Sequence, residues 1–298
     1  MASSRFISIL TPTFNEEECI GELIRAVSAV LISNCLDYEH IIIDNKSNDS
    51  TVQIVKDVCK IDNRVKLVVN ANNYGQVVSP VAGILMCSGA AVIVIAADFE
   101  NPVELLPRFI GEWLGGADFV LGVVADSDEN LFHATCRKFY YSVVAHFSAS
   151  PNVPQFNGFC LLDRKVVEYL RLQDTFYLFL RHEILCFSSN YRILEYRKVS
   201  RKSGISKNNF ATLLDIAMVG FVAHNVNVAQ ACFFCGLLIN LVAIVFYFLR
   251  IDVLIPLVCL NTALLLFLVY FQCASIRYRM NQSDARVRYR ISERVNFS

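Results

Sequence analysis

Two stretches near the C-terminus constrain this chain more than any other feature. Val228–Leu249 and Val253–Ile276 hold no charged residue over 22 and 24 positions, and about 20 apolar residues are enough to cross a bilayer core. Asn240, Asn261 and a few other polar side chains interrupt them. Two buried core helices would be the alternative, but length and charge exclusion together favour membrane spans. The short link Arg250-Ile251-Asp252 makes the pair a tight hairpin. Arg197, Lys198, Arg201, Lys202 and Lys207 precede it, and Arg277, Arg279, Arg286, Arg288, Arg290 and Arg294 follow. The positive-inside rule then puts both flanks and both termini in the cytoplasm, with the link on the far side. The expectation is an integral membrane protein, in a bacterial inner membrane.

The remaining composition agrees. Apolar residues make up 55% of 298 and the mean hydropathy is +0.44, high for a soluble protein. The zero formal net charge conceals the clustered cations, and no basic face or recognition motif points to nucleic acid. Eleven scattered cysteines fit reduced thiols rather than a disulfide framework. Cys232-x-x-Cys235 lies inside the first span, where small packing residues are the better reading than a metal or redox site. A strand-like run at Phe6–Leu10 begins almost at once, which leaves no room for a signal peptide. The five histidines (His40, His133, His146, His182 and His224) show no ligand spacing.

Before the hairpin, β-branched runs alternate with helical patterns. Phe6–Leu10, His40–Ile43, Val65–Val69, Ala91–Ile95 and Phe119–Val123 read as strands buried on both faces. Ile20, Leu23, Ile24, Val27 and Leu31 recur at helical spacing, with Asn15 and Glu18 as a capping-box-like start. Asn101-Pro102 opens another helix. Such alternation predicts a mostly parallel sheet with helices on both sides, which binds ligands at the carboxyl ends of its strands. No G-x-G-x-x-G or Walker A pattern follows a strand, which disfavours dinucleotide oxidoreductases and P-loop NTPases. Asn15 and Glu16, Asp44 and Asn45, and Asp98 and Glu100 do stand at strand ends, on one edge of the expected sheet.

Asp98 and Glu100 would point the same way if the backbone is still extended there. Two carboxylates so placed can hold Mg2+ or Mn2+ and leave positions for phosphate oxygens, the ion neutralising a departing diphosphate. Acidic residues before Asn101-Pro102 also favour a helix N-terminus without any metal. Both readings stay open on spacing alone.

Ile9-Leu10-Thr11-Pro12-Thr13-Phe14-Asn15-Glu16-Glu17-Glu18 resembles the opening of family 2 glycosyltransferases of the GT-A fold. Ile43-Asp44-Asn45-Lys46-Ser47-Asn48-Asp49-Ser50-Thr51, Asn72-Asn73-Tyr74-Gly75-Gln76 and Ala97-Asp98-Phe99-Glu100-Asn101-Pro102 resemble the motifs that follow in that family. Arg201-Lys202-Ser203-Gly204-Ile205-Ser206-Lys207 and the hairpin are similar to the branch that uses polyprenyl phosphates, dolichyl-phosphate mannose synthases and bactoprenol glucosyltransferases included. The resemblance implies that Pro12, Phe14, Glu16, Ile42, Asp44 and Ala97 border the nucleotide sugar, and that Asp98 and Glu100 hold the metal. It implies that Arg201 and Lys207 clamp phosphates, with Asp98, Arg201 and Lys207 carrying the chemistry. By the same resemblance, Arg137 and Lys138 fall where the family places cations for the lipid phosphate, with Arg181 a weaker candidate. Plain attraction to anionic lipid, about 1 kcal/mol per cation, is the alternative for each basic residue.

The chain also departs from that pattern. Ala96 replaces an acidic residue, Lys46 a glycine and Val124 a common arginine. The single tryptophan, Trp113, leaves no Q-x-x-R-W signature of processive synthases. The acceptor chemistry fits a phosphate monoester: its second pKa is about 6, so it needs no general base, and Asn157-Gly158-Phe159 offers none. The reading is thus a GT-A α/β domain over 1–207, an interfacial amphipathic segment over 208–225 (Phe210, Leu213, Leu214, Ala217 and Phe221 at helical spacing), a hairpin over 226–276 and a basic tail over 277–298. Its expected activity, within cell-envelope polysaccharide biosynthesis, is transfer of one sugar from a nucleotide sugar to a polyprenyl phosphate. Another lipid-linked glycan acceptor, or a catalytically silent scaffold, is the rival, and a homo-oligomer stays open.

Overall fold

The computed structural model describes residues 6–126, 142, 152–198, 210–223, 228–248 and 254–297. By its contacts the chain forms two units, one of residues 1–129, 153–207 and 282–298, the other of residues 130–152 and 208–281.

The first unit is built on an eight-stranded sheet. In chain order its strands are β1 (Ile7–Thr13), β2 (Tyr38–Asp44), β3 (Val65–Asn70), β4 (Ala91–Val94), β5 (Phe119–Asp126), β6 (Phe156–Asp163), β7 (Tyr191–Arg197) and β8 (Ile291–Val295), and they lie in the order β7-β5-β6-β4-β1-β2-β3-β8. Strands β3, β2, β1 and β4 run parallel. β6 is antiparallel to β4 and β5, β7 is parallel to β5, and β8 runs antiparallel along β3. The sheet is therefore mixed. Its parallel centre was legible as apolar runs because both faces are covered: every residue of β2 is buried.

Helices α1 (Ile20–Ser33), α2 (Thr51–Cys59) and α4 (Leu106–Leu114) contribute to a core with Ile7, Ile9 and Ile42. Helix α3 (Gly75–Met86) and α5 (Arg164–Leu172) contribute to a second core with Leu10, Ile41 and Ile43, joined by α6 (Leu180–Phe187). Alternate residues of β1 and β2 thus feed opposite cores, as strand pleating requires. The five apolar positions that predict α1 are all buried.

Two predicted helix starts are corrected. Cys19, not Asn15, precedes α1, and no side chain caps it. Asn15 instead adopts a left-handed backbone, its N–H donates to Ser47 Oγ, and its Oδ1 accepts from the Asn48 N–H. Asn101 does not cap a helix either: a 3-10 turn at Val103–Leu105 intervenes before α4. Its Oδ1 accepts from the Ala96 N–H and its Nδ2 donates to the Tyr196 hydroxyl. In both cases a tertiary partner outcompetes the local cap.

In the second unit, α7 (Phe210–Ala223), α8 (Val228–Phe248) and residues of α9 (Leu254–Arg288) meet around Met218, Cys232 and Phe271. Cys232 and Cys235 are free thiols. Among the described residues one helix is long and apolar enough to cross a membrane, Pro256–Asp284, with a mean hydropathy of 2.0; Phe234–Phe246 is a shorter apolar helix. Leu237, Leu241, Leu265, Leu266 and Val269 are all more than half exposed, so α8 and α9 both present large apolar side chains outward.

Candidate active site at the carboxyl edge of the sheet

Parallel strands deliver their carboxyl ends to one edge, and the register brings Thr13 beside Asp44 there. Asp44 is fully buried. Its Oδ1 accepts from the Ser47 N–H at 2.9 Å, and its Oδ2 accepts from the hydroxyls of Ser47 and Thr13. A carboxylate has about four acceptor positions, and these internal donors take three of them. The loop after it continues the pattern: Glu16 N–H donates to Thr51 Oγ1, Glu17 N–H to Asp49 Oδ2 and Ser50 N–H to Glu17 Oε2. Burial raises the Asp49 pKa, but hydrogen bonds from Thr51 and Glu17 outweigh it and hold the carboxyl below its ordinary value.

Pro12, Phe14 and Glu16 are half-buried along this edge, so they remain reachable from outside. Ile42 is different: it is fully buried in the core on the α1 side. Lys46, exposed, holds a left-handed backbone with φ 66°. That conformation suits glycine and costs a side-chain-bearing residue about 1–2 kcal/mol. Its Nζ lies 3.3 Å from Asn72 Oδ1.

At the next strand end the extended-backbone expectation for Asp98 and Glu100 fails. β4 stops at Val94, the Ile95 N–H still bonds to Leu10 O, and the chain then turns. Phe99 is left-handed, with φ 61°, which breaks the alternation that would have aimed both carboxylates one way. Asp98 is 7% exposed and Ala97 4%. Asp98 Oδ1 accepts from the Glu100 N–H at 3.2 Å, and Glu100 pairs with Lys198 Nζ at 2.9 Å. Among the described residues no three His, Cys, Asp or Glu side chains gather as a metal cluster.

Three residues here escaped sequence reasoning. The Tyr196 hydroxyl, at the end of β7, accepts from Asn101 Nδ2 at 2.8 Å and from Asn157 Nδ2 at 2.9 Å. Burial drives the Tyr196 pKa up; the two amides oppose this, and the Glu100 and Asp98 charges reinforce it. The phenol therefore stays protonated at neutral pH. Arg181 donates to the Asn157 carbonyl at 3.0 Å, which ties that cation to the same edge. The prior signal for Lys198 was its place in a basic run and that for Asn157 its place where a general base was missing, with nothing to link either to Tyr196, which gave no signal. Val124, where the resemblance has an arginine, is 7% exposed within the core on the α1 side. Arg137, Lys138, Arg201 and Lys207 lie outside the described residues.

Comparison with known proteins agrees with this architecture. A bactoprenol glucosyl transferase of Shigella phage SfV is 29% identical over 237 residues, 78% of this chain and 76% of that protein. A putative glycosyltransferase of Bacillus subtilis is 28% identical over 80% of this chain and 73% of its own length. The crystal structure of glucosyl-3-phosphoglycerate synthase from Mycobacterium tuberculosis with phosphoglyceric acid superposes with a TM-score of 0.54 at 19% identity, over 74% of this chain and 81% of that one. The same synthase with Mn2+ and uridine-diphosphate-glucose gives 0.51 at 18%, over 74% and 77%. These likenesses establish the GT-A type of α/β fold. The model for Glycosyl transferase family 2 matches residues 8–171, more than half of the sequence, and the chain belongs to that family as a glycosyltransferase.

Proposed function

We propose that this glycosyltransferase moves a single sugar from a nucleotide-diphospho-sugar to a polyprenyl phosphate at the cytoplasmic face of a membrane. The observation that carries the acceptor is the likeness, over three quarters of both chains, to proteins named bactoprenol glucosyl transferase. The exposed apolar helix α9 supports it, because a lipid acceptor must be met at a bilayer.

The donor lies at the carboxyl edge, with Pro12, Phe14 and Glu16 beside it and Asp44, at the end of β2, bordering base or ribose. Asp98 and Glu100 fit a hard divalent ion by donor type: Mg2+ is held by one or two carboxylates and completes its shell with substrate phosphates and water. In that setting Asp98 and Glu100 would hold Mg2+ or Mn2+, which supplies charge neutralisation at the diphosphate. Lys198 then has a second role, since its pairing with Glu100 keeps a cation at the same place. Arg201 and Lys207 orient the donor phosphates, while Arg137, Lys138 and Arg181 receive the acceptor phosphate. That acceptor is anionic at neutral pH and attacks the anomeric carbon with no proton to remove, so the amide of Asn157 can stand where another acceptor would need a carboxylate. Positioning two anions is then the main demand on the protein.

The sheet itself supports two membrane crossings. β8 pairs with β3, so the chain after α9 lies on the same side as the chain before α7. If α9 crosses a bilayer, an even number of crossings requires a second, and among the described residues α8, with 21 residues, is the longer of the two apolar helices that precede it. Residues 226–276 are then the hairpin, and residues 208–225 lie at the interface.

Membranes containing the protein, given a panel of labelled nucleotide sugars and polyprenyl phosphates, should form a labelled lipid with one sugar. Transfer only to a preformed lipid-linked glycan would replace the acceptor reading with the second one, whereas no transfer and no hydrolysis of any nucleotide sugar would favour the catalytically silent scaffold, the reading that Ala96 and Val124 support.

A further inference from the structure

The segment after α9 reaches the proposed donor site through a buried chain of hydrogen bonds. Tyr289 is 8% exposed, and its hydroxyl donates to Asn70 Oδ1 at 2.6 Å. Asn70, 1% exposed at the end of β3, donates from Nδ2 to Asn45 Oδ1 and Ser79 Oγ, both at 3.1 Å. Asn45 follows Asp44 directly; its Oδ1 also accepts from the Tyr74 N–H at 2.9 Å, and its Nδ2 donates to Asn73 Oδ1 at 2.7 Å.

The chain has one polarity. The Tyr74 N–H is a fixed backbone donor, so the atom of Asn45 facing it must be the oxygen. Asn70 must then offer nitrogen to that oxygen, which leaves its own Oδ1 needing a donor in a buried place. Tyr289 is that donor. The ring is held between Tyr74 and Phe176, at centroid distances of 4.9 and 5.0 Å. The next residue doubles the tie: the Arg290 N–H donates to the Tyr74 hydroxyl, and its carbonyl accepts from the Ala71 N–H.

We propose that Tyr289 is a positioning residue for the nucleotide-sugar subsite, holding Asn70 and through it Asn45 and the 71–75 loop against Asp44. The assignment rests on the reading that Asp44 borders the nucleoside. It makes the donor wall depend on a segment that reaches the sheet only after the apolar helices.

The test uses the full chain in lipid nanodiscs. Tyr289→Phe keeps the ring packing and removes the hydroxyl that donates to Asn70 Oδ1. Loss of a buried hydrogen bond of this kind should raise the KM for the nucleotide sugar about five- to tenfold, with kcat and the acceptor KM within about twofold. Asn70→Asp puts an acceptor where Asn45 needs a donor and should give the same split, which keeps the test alive if Tyr289→Phe folds poorly. In the double variant the two effects should not add. Phe176→Leu, which loosens the same ring without touching the hydrogen bonds, should lower Tm and leave the donor KM unchanged. An unchanged donor KM in Tyr289→Phe and Asn70→Asp, or a fall in kcat alone, overturns the assignment. Wild-type protein that binds no nucleoside diphosphate in a direct titration would overturn the donor reading itself, and this inference with it.

Discussion

Asp98 and Glu100 stand two residues apart, yet the structure gives them unequal settings. Asp98 is nearly buried and accepts from the Glu100 N–H, whereas Glu100 already has a cation in Lys198. Asp98→Asn should therefore abolish transfer with Tm unchanged, while Glu100→Gln should cost much less. Rates at limiting Mg2+ or Mn2+ check this, and near-normal transfer by Asp98→Asn would remove the ion from Asp98. Lys46 carries the opposite kind of information. Its left-handed backbone should make Lys46→Gly raise Tm, by an amount equivalent to no more than about 1 kcal/mol, because glycine's greater unfolded-state freedom offsets part of the relief. A lower Tm would mean that the Lys46 contact to Asn72 outweighs the backbone strain.

Element pairing depends on polar groups at the amino end of the sheet as well. Glu39 on β2 is 2% exposed and accepts from the Ser8 hydroxyl on β1, from the Ser88 N–H and hydroxyl, and from Lys66 Nζ on β3. Burial raises its pKa, but these donors, Lys66 first, bring it below the ordinary carboxylate value. A depressed carboxylate contributes stability that is present above its unfolded pKa of 4.5 and is lost as pH falls through the lower folded value. Its neighbour His40 is fully buried, and burial holds its pKa down to about 3 against an opposing push from Asp62. An imidazole kept neutral stabilises fully above its unfolded pKa of 6.5, and that contribution falls by about 1.4 kcal/mol per pH unit from there toward 3. Tm measured against pH should begin to drop below 6.5. His40→Gln should flatten the part between 6.5 and 4.5, and a profile identical to wild type would disprove the histidine's role. The backbone is equally demanding at Gly89, where an added Cβ would lie 2.4 Å from the Ser8 nitrogen. Gly89→Ala should thus cost about 1–3 kcal/mol, read as a lowered Tm. The strands that sequence made legible, β1 to β5, are those whose apolar runs report burial on both faces. β6, β7 and β8 were hidden because pairing with distant strands stabilises them; Ile291–Val295 alternates and sits among arginines, so it read as tail. The same holds at the site. Asp44 and Asp98 follow apolar runs and could be found, whereas Tyr196, Asn157 and Lys198 arrive from elements whose placement only the tertiary fold decides.

For the molecule as a whole, the sheet closes a loop that begins before α7 and ends after α9. β8 contributes an edge strand to the same sheet that holds Asp44 and Asp98, and Lys56 pairs with Glu293 across that join at 2.6 Å. Strand pairing needs both partners in one compartment. A single membrane crossing would separate them, so α9 as a span commits the chain to a partner span. On the proposed topology, the positive charge on both flanks of the apolar helices assigns the shared compartment to the cytoplasm. A reporter active only in the cytoplasm, fused after Ser298, should therefore be active, and a tag inserted at Ile251 should be reachable by an impermeant reagent in intact cells. A protected tag at Ile251 together with an active C-terminal reporter would mean that neither helix crosses, leaving the apolar faces of α8 and α9 against the membrane surface or another chain. An inactive C-terminal reporter would contradict the β3–β8 pairing itself, and with it the route by which Tyr289 reaches Asn70.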